Sequence, residues 1–168
     1  MVALDMLLAR PELFNKGVIA NSFMSTNSDE FKHMAMSWSA TFKKEDGPVT
    51  RFENTWPILV NEQFRQSDKG IETYQSWHAQ AASTDGLSLA NTAQGIVGFD
   101  VSDSLHTIKQ PMLFISGEHD LMSDPDISKT MSSRVKHSRY VNIVGANHLS
   151  NVDSAPEFNQ TLLEFLER

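Results

Sequence analysis

The spacing of apolar positions changes along the chain, and each change predicts a different kind of element. Val2–Ala9 (VALDMLLA) is apolar on almost every side, which predicts a helix buried among other elements, covered in part by polypeptide upstream of it. After Pro11, the stretch Lys16-Gly17-Val18-Ile19-Ala20-Asn21 holds a short β-prone run between breakers, the form of a buried parallel strand. From Asn27 the spacing turns helical. Asn27 and Glu30 have the separation of a capping box, and Phe31, Met34, Met36 and Trp38 follow at helix-like intervals. With breaks at Asp46-Gly47-Pro48, Asp68-Lys69-Gly70 and Asp85-Gly86, residues 27 to about 98 read as three to five modest helices that carry Trp38, Trp56 and Trp77.

From Ile108 the order is strand, helix, strand, helix. Pro111-Met112-Leu113-Phe114-Ile115-Ser116-Gly117 is a β-type run bounded by Pro and Gly, as a central parallel strand would be. Asp124 is placed to cap a helix whose first turn holds Pro125. Tyr140–Val144 is the next strand. Ser154 and Glu157 have capping-box spacing, and Phe158, Leu162 and Phe165 then recur on one helical face. Alternating strands and helices require a parallel sheet, so the fold class is α/β, about three strands with flanking helices, interrupted by a helical insertion. The expected divisions are a core part at 1–26, a helical cap at 27–105 and a second core part at 106–168.

Composition narrows the function classes. A chain of 168 residues suits one core. With 14 Lys and Arg against 21 Asp and Glu, the net charge of −7 leaves no cationic cluster to displace phosphate counterions, which argues against nucleic acid as a partner. Apolar residues at 40% and charged residues at 21% are ordinary globular usage, and no apolar run is long enough to span a membrane. The first residues carry Asp5 and run into Arg10-Pro11 without a preceding positive segment, unlike a signal peptide. The chain has no Cys, which removes disulfides, thiolate metal sites and a cysteine nucleophile together and fits a cytoplasmic setting.

Reactive groups in an open parallel sheet gather where strands end at their carboxyl edge. Two loops occupy that place, Gly117-Glu118-His119-Asp120 and Gly145-Ala146-Asn147-His148-Leu149-Ser150-Asn151. Because they leave neighbouring strands, Asp120 and His148 are expected within hydrogen-bond reach. A carboxylate on one imidazole nitrogen fixes the tautomer and frees the other nitrogen as a general base. His119 is expected to point away from the pair. The acidic cluster Glu118, Asp120, Asp124 and Asp126 lacks the spacing of a calcium loop, and His33, His78, His106 and His137 lack partners at zinc-ligand spacing, so no metal is expected. Ser116 and Ser123 lie near the acid, but neither sits on a strained strand-to-helix turn, so no nucleophile is expected within this chain. Trp and Met residues of the insertion are ordinarily core; together they could wall an apolar substrate pocket, with Leu121, Leu149 and Trp77 as its candidate lining.

Residues 106–168 resemble the C-terminal end of α/β-hydrolase-fold enzymes. In that family a Pro-flanked strand leads to Gly-x-x-Asp, here Gly117 to Asp120, and the next strand to Gly-x-x-His, here Gly145 to His148. Ser150-Asn151 and Pro156-Glu157-Phe158-Asn159 are similar to the 3-oxoadipate enol-lactonases and their relatives. MVALDMLLARPELFNKGVIANS resembles the helix after the family's nucleophile elbow and the strand that follows it. Family chain order is Ser, then Asp or Glu, then His. No Gly-x-Ser-x-Gly occurs here, so the resemblance implies that the serine, the oxyanion-hole loop and the earlier strands lie upstream. It further implies a hydrolase of a small carboxylic ester or lactone, with Asp120 as acid and His148 as base, needing no cofactor. The missing N-terminal half of the fold would be the partner, and the isolated chain would be inactive and prone to associate through its unpaired strand edge. A carbon–carbon bond hydrolase or perhydrolase using the same residues, and a non-catalytic small-molecule receptor on this fold, are the alternatives.

Overall fold

The computed structural model of the chain describes residues 1–167. In chain order the elements are α1 (Val2–Ala9), β1 (Gly17–Ala20), α2 (Asp29–Phe42), α3 (Gly47–Leu59), α4 (Glu62–Gln66), α5 (Asp68–Ser83), α6 (Gly86–Gly95), β2 (Met112–Gly117), α7 (Pro125–Arg134), β3 (Ser138–Ile143), α8 (Ser150–Asp153) and α9 (Ala155–Leu166). They group into two compact units, one of residues 1–24, 58–61 and 100–167, the other of residues 25–57 and 62–99.

The first unit is built on a three-stranded parallel sheet in the order β1-β2-β3. Every residue of β2 is buried, as a short apolar strand with a neighbour on each edge must be. Its side chains alternate between faces. Leu113 and Ile115 form a buried cluster with Ile143 and Ala146, against which Val18, Ala20, Val141, Phe158 and Phe165 pack. Helix α1 lies against β1, α7 against β2 and β3, and α9 against β3. The register places Ala20 beside Ile115 and Gly117 beside Ile143, so the three strands release their chains at the same edge. That shared edge brings together the loops that follow the strands.

Several sequence expectations are corrected in detail. The cap of α2 is Ser28 rather than Asn27: Ser28 has an extended backbone and its hydroxyl accepts from Phe31 N, whereas Asn27 N is turned to Ser25 Oγ. Ser154 does not cap α9, because α8 runs directly into it and Ser154 N is already bonded to Ser150 O, leaving no extended residue to present a hydroxyl. Strand β3 covers Ser138–Ile143 rather than Tyr140–Val144. It pairs on one side only, which admits the polar start, and Gly145 at φ 71° turns the chain just beyond it and leaves Val144 72% exposed. Helix α1 buries Leu4 and Leu7 within the chain and exposes Val2 and Met6. Asp124 and Pro125 start α7 as expected, the Asp124 side chain accepting from Asp126 N.

The second unit is helical, and α3, α5 and α6 each begin at one of the anticipated breakers. Ser67 and Asp85 cap α5 and α6. Phe52, Trp56, Tyr74 and Trp77 form a continuous aromatic cluster, with Trp56 and Trp77 in edge contact at 5.8 Å. The expected divisions after 26 and after 105 differ from the observed ones at the second crossing: Val101 and Leu105 are core residues, and Val101 N donates to Met24 O. Residues 58–61 belong to the sheet unit, a return for which the sequence carries no local sign.

Candidate active site

Local structure holds the two reactive loops before any side chain meets. Glu118 N donates to Ile143 O at 2.9 Å, His119 N donates to Ala146 O at 2.8 Å, and the Glu118 carboxylate accepts from Gly145 N at 2.8 Å. A Cβ at Gly117 would collide with the carbonyl oxygens of Asn147 and Ala146, so only glycine lets the loops approach this closely. The loop after β3 is braced further by residues 58–61. Leu149 N donates to Leu59 O at 2.8 Å, Asn61 Nδ2 donates to Gly145 O at 3.0 Å, and Asp153 Oδ2 accepts from both Asn61 N and Asn147 N at 2.9 Å.

On this frame His148 Nδ1 stands 3.0 Å from both carboxylate oxygens of Asp120. The Asp120 side chain is fully buried and that of His148 is 18% exposed. Oδ1 of Asp120 accepts from Met122 N at 2.8 Å and Ser123 N at 2.9 Å; Oδ2 accepts from Ser123 Oγ at 2.7 Å and Asn21 Nδ2 at 3.0 Å. Burial by itself would raise the carboxyl pKa. The hydrogen bonds from His148, Ser123 and Asn21 outweigh it and bring the value from 3.8 down to about 2. An ionised carboxylate only accepts, so the imidazole nitrogen facing it carries a proton and Nε2 is left as the basic nitrogen.

This depression has a consequence for acid stability. The folded pKa lies below the unfolded one, so the contribution is present above pH 3.8 and is lost as the pH falls toward 2. A shift of this size corresponds to about 2 kcal/mol. Denaturant unfolding of the complete protein at successive pH values should show that loss, and Asp120→Asn should flatten that part of the profile. An identical slope in the variant would remove the assignment.

The remaining candidates are placed as follows. Leu121 is 77% exposed, and Leu149 is partly buried with its backbone bonded to Leu59. Trp77 lies in the helical unit, where it lines a cavity of about 260 Å³ with Phe42, Arg51, Phe52 and Leu89. His119 points to solvent beside Glu118. Ser116 is buried with its hydroxyl between Tyr140 and Asn142, and Ser123 commits its hydroxyl to Asp120, so each serine near the acid is occupied by a structural bond. Among the described residues no group of three or more His, Asp or Glu side chains is arranged to hold a metal ion, and no helix is long and apolar enough to cross a membrane. Two depressions of about 370 and 520 Å³ open at the amino-terminal ends of the strands around Lys136 and His137, on the edge opposite the pair.

Sequence reasoning paired Asp120 with His148 and missed what surrounds them. Ser123 sits three residues after Asp120, a spacing at which a carboxylate commonly takes local N–H and O–H groups, and that signal was available. Asn21, Ser150 and the brace from residues 58–61 reach the site through long-range contacts that no local pattern announces.

No protein-family model matches the chain. It is 26% identical over 168 residues to a Pseudomonas savastanoi pv. phaseolicola protein named as a carbamate hydrolase, RutD, an alignment that takes in 99% of the chain and 63% of the relative. Among solved structures, the enol-lactonase of Burkholderia xenovorans LB400 superposes with a TM-score of 0.85 at 20% identity, over 99% of the chain and 61% of its own. MGS-M2, an α/β-hydrolase from a Medee basin deep-sea metagenome, gives 0.84 at 23% identity and the same coverage. The chain therefore spans about three-fifths of the length of the proteins it matches. Its fold is that of the C-terminal portion of an α/β-hydrolase, and its relatives and structural neighbours are hydrolases of that fold.

Proposed function

We propose that the chain is the C-terminal portion of a serine hydrolase that acts on a small carboxylic ester or lactone, with Asp120 as the acid that orients His148 and His148 as the general base. The 3.0 Å contact between His148 Nδ1 and the buried Asp120 carboxylate carries this reading. In it, a serine supplied by polypeptide outside these 168 residues attacks the acyl carbon. Nε2 of His148 takes the serine proton as the bond forms and passes it to the leaving oxygen as the acyl–oxygen bond breaks. Water then attacks the acyl-enzyme with the same base and releases the acid. Asp120 stays ionised throughout and stabilises the imidazolium that forms in each half-reaction.

The substrate class follows from what this machinery can do and from the likeness to proteins named for enol-lactone and carbamate hydrolysis. All three compound types present an acyl carbon bearing a heteroatom leaving group that a histidine can protonate. The reading asks for no metal or cofactor, and the Cys-free composition suits a cytoplasmic enzyme.

A serine-directed fluorophosphonate tests the reading. The complete protein should label on a single serine outside residues 1–168, and the 168-residue chain alone should neither label nor turn over an activated ester above the background of free imidazole. Labelling of Ser116 or Ser123 in the isolated chain would overturn it.

A further inference from the structure

Asn21 takes no part in that proton transfer, yet it occupies a costly backbone conformation directly beside the pair. Its φ of +46° is the one positive value at a non-glycine position among the described residues. Asn tolerates the left-handed region better than most residues, but glycine would hold it without strain. Slipping the strand cannot relieve it, because Asn21 N is bonded to Ile115 O at 2.9 Å, continuing the ladder to β2. An outlier held this firmly points to its side chain as the reason.

That side chain reaches both loops. Nδ2 donates to Asp120 Oδ2 at 3.0 Å and stands 3.5 Å from Asn147 O, while Oδ1 accepts from the hydroxyl of the fully buried Ser150 at 2.7 Å. The ionised carboxylate can only accept, so it fixes Nδ2 as the end of the amide that faces Asp120 and leaves Oδ1 to accept from the Ser150 hydroxyl. The other donors to Asp120 apart from His148 come from Met122 and Ser123, on the same loop, and move with it. Asn21 is anchored on a different strand.

We propose that Asn21 is a positioning residue for the Asp120–His148 pair: its amide pins the carboxylate to the end of β1 and, through Ser150, ties it to the loop that carries His148. The inference rests on the reading of these two residues as acid and base. The carboxylate plane sets the direction in which Nε2 points, and a displacement of about 1 Å in such a group can cost 100-fold in rate. The strained conformation is kept because it holds that plane against the sheet.

The test uses the complete protein labelled with 15N-histidine, following the His148 ring nitrogens by NMR against pH. Asn21→Asp replaces the donor with a second carboxylate, which should raise the midpoint of His148 protonation by about one unit or more relative to the native chain. Asn21→Gly keeps the backbone conformation and deletes the donor. It should move the midpoint less, in the same direction, and speed solvent exchange of the Nδ1 proton. Glu118, His119 and Asp153 flank these loops and are the same in all three chains, so the comparison isolates position 21. A residue that only supports the fold would lower the unfolding temperature without moving the titration. Folded variants whose midpoints stay within about 0.2 unit of native would overturn the inference; if Asn21→Asp does not fold, Asn21→Gly decides alone by the same criterion and the exchange rate. If His148→Ala abolishes turnover of the complete protein while the Asn21 variants leave the titration unmoved, the role of Asn21 alone is overturned. A moved titration with turnover indifferent to His148 would instead sink the catalytic reading.

Discussion

In the complete protein, His148→Ala should lower turnover of a small carboxylic ester by about four orders of magnitude or more while leaving the fold intact. The size of the loss follows from the role: without an imidazole, nothing takes the serine proton or returns it to the leaving group, and only substrate binding and oxyanion stabilisation remain. Survival of the fold follows from the surroundings of Asp120. Its carboxylate keeps Met122 N, Ser123 N, Ser123 Oγ and Asn21 Nδ2 as donors when the imidazole is gone, so the truncation does not strand a buried charge. Steady-state kinetics with an activated ester, read beside circular dichroism of the same sample, checks both halves. A rate unchanged by the substitution would end the assignment of His148 as base.

Asp120→Asn should be almost as damaging to turnover, by about 10⁴, for a different reason. Every contact to this carboxylate comes from a donor, on both of its oxygens. An amide has a single acceptor oxygen. If that oxygen faces Met122 N and Ser123 N, the new NH2 faces Asn21 and His148, and the imidazole can meet it only by accepting at Nδ1. The ring proton then moves to Nε2, the nitrogen that must be free to act as base. Asn21 Nδ2 loses its acceptor at the same time, which should cost about 1–3 kcal/mol of folded stability. In the complete protein, ring 15N shifts of His148 should report the Nε2–H tautomer, and steady-state kinetics should show the loss. A variant that retains the Nδ1–H tautomer and native turnover would contradict this account.

Much of the core was legible because it obeys local rules. The run from Met112 to Ile115 is apolar throughout since β2 has neighbours on both edges. Asp124 and Pro125 start α7 because their backbone preferences agree there. The helices from Gly47, Asp68 and Gly86 begin at the breakers, where Ser67 and Asp85 cap α5 and α6 and Pro48 suits the first turn of α3. Where expectation and structure part, a neighbour has overruled local preference. Ser154 has the right partner at the right spacing and still caps nothing, because α8 precedes it. The helix pattern through Trp56 says nothing about residues 58–61 bracing the loop that bears His148.

The order of strands and helices, the two Gly-x-x-acid and Gly-x-x-His turns and the absence of a serine elbow are properties of the chain as written, since periodicity and turn chemistry act over a few residues. The contact between Asp120 and His148 was an expectation until parallel pairing ended β2 and β3 at one edge. The environment that sets the charge on Asp120 belongs to tertiary structure altogether. It takes an amide from Asn21 just after β1, itself bonded to a hydroxyl from Ser150 beyond β3, and hydrogen bonds between residues so far apart in the chain depend on how the strands pack, which short-range preference does not encode.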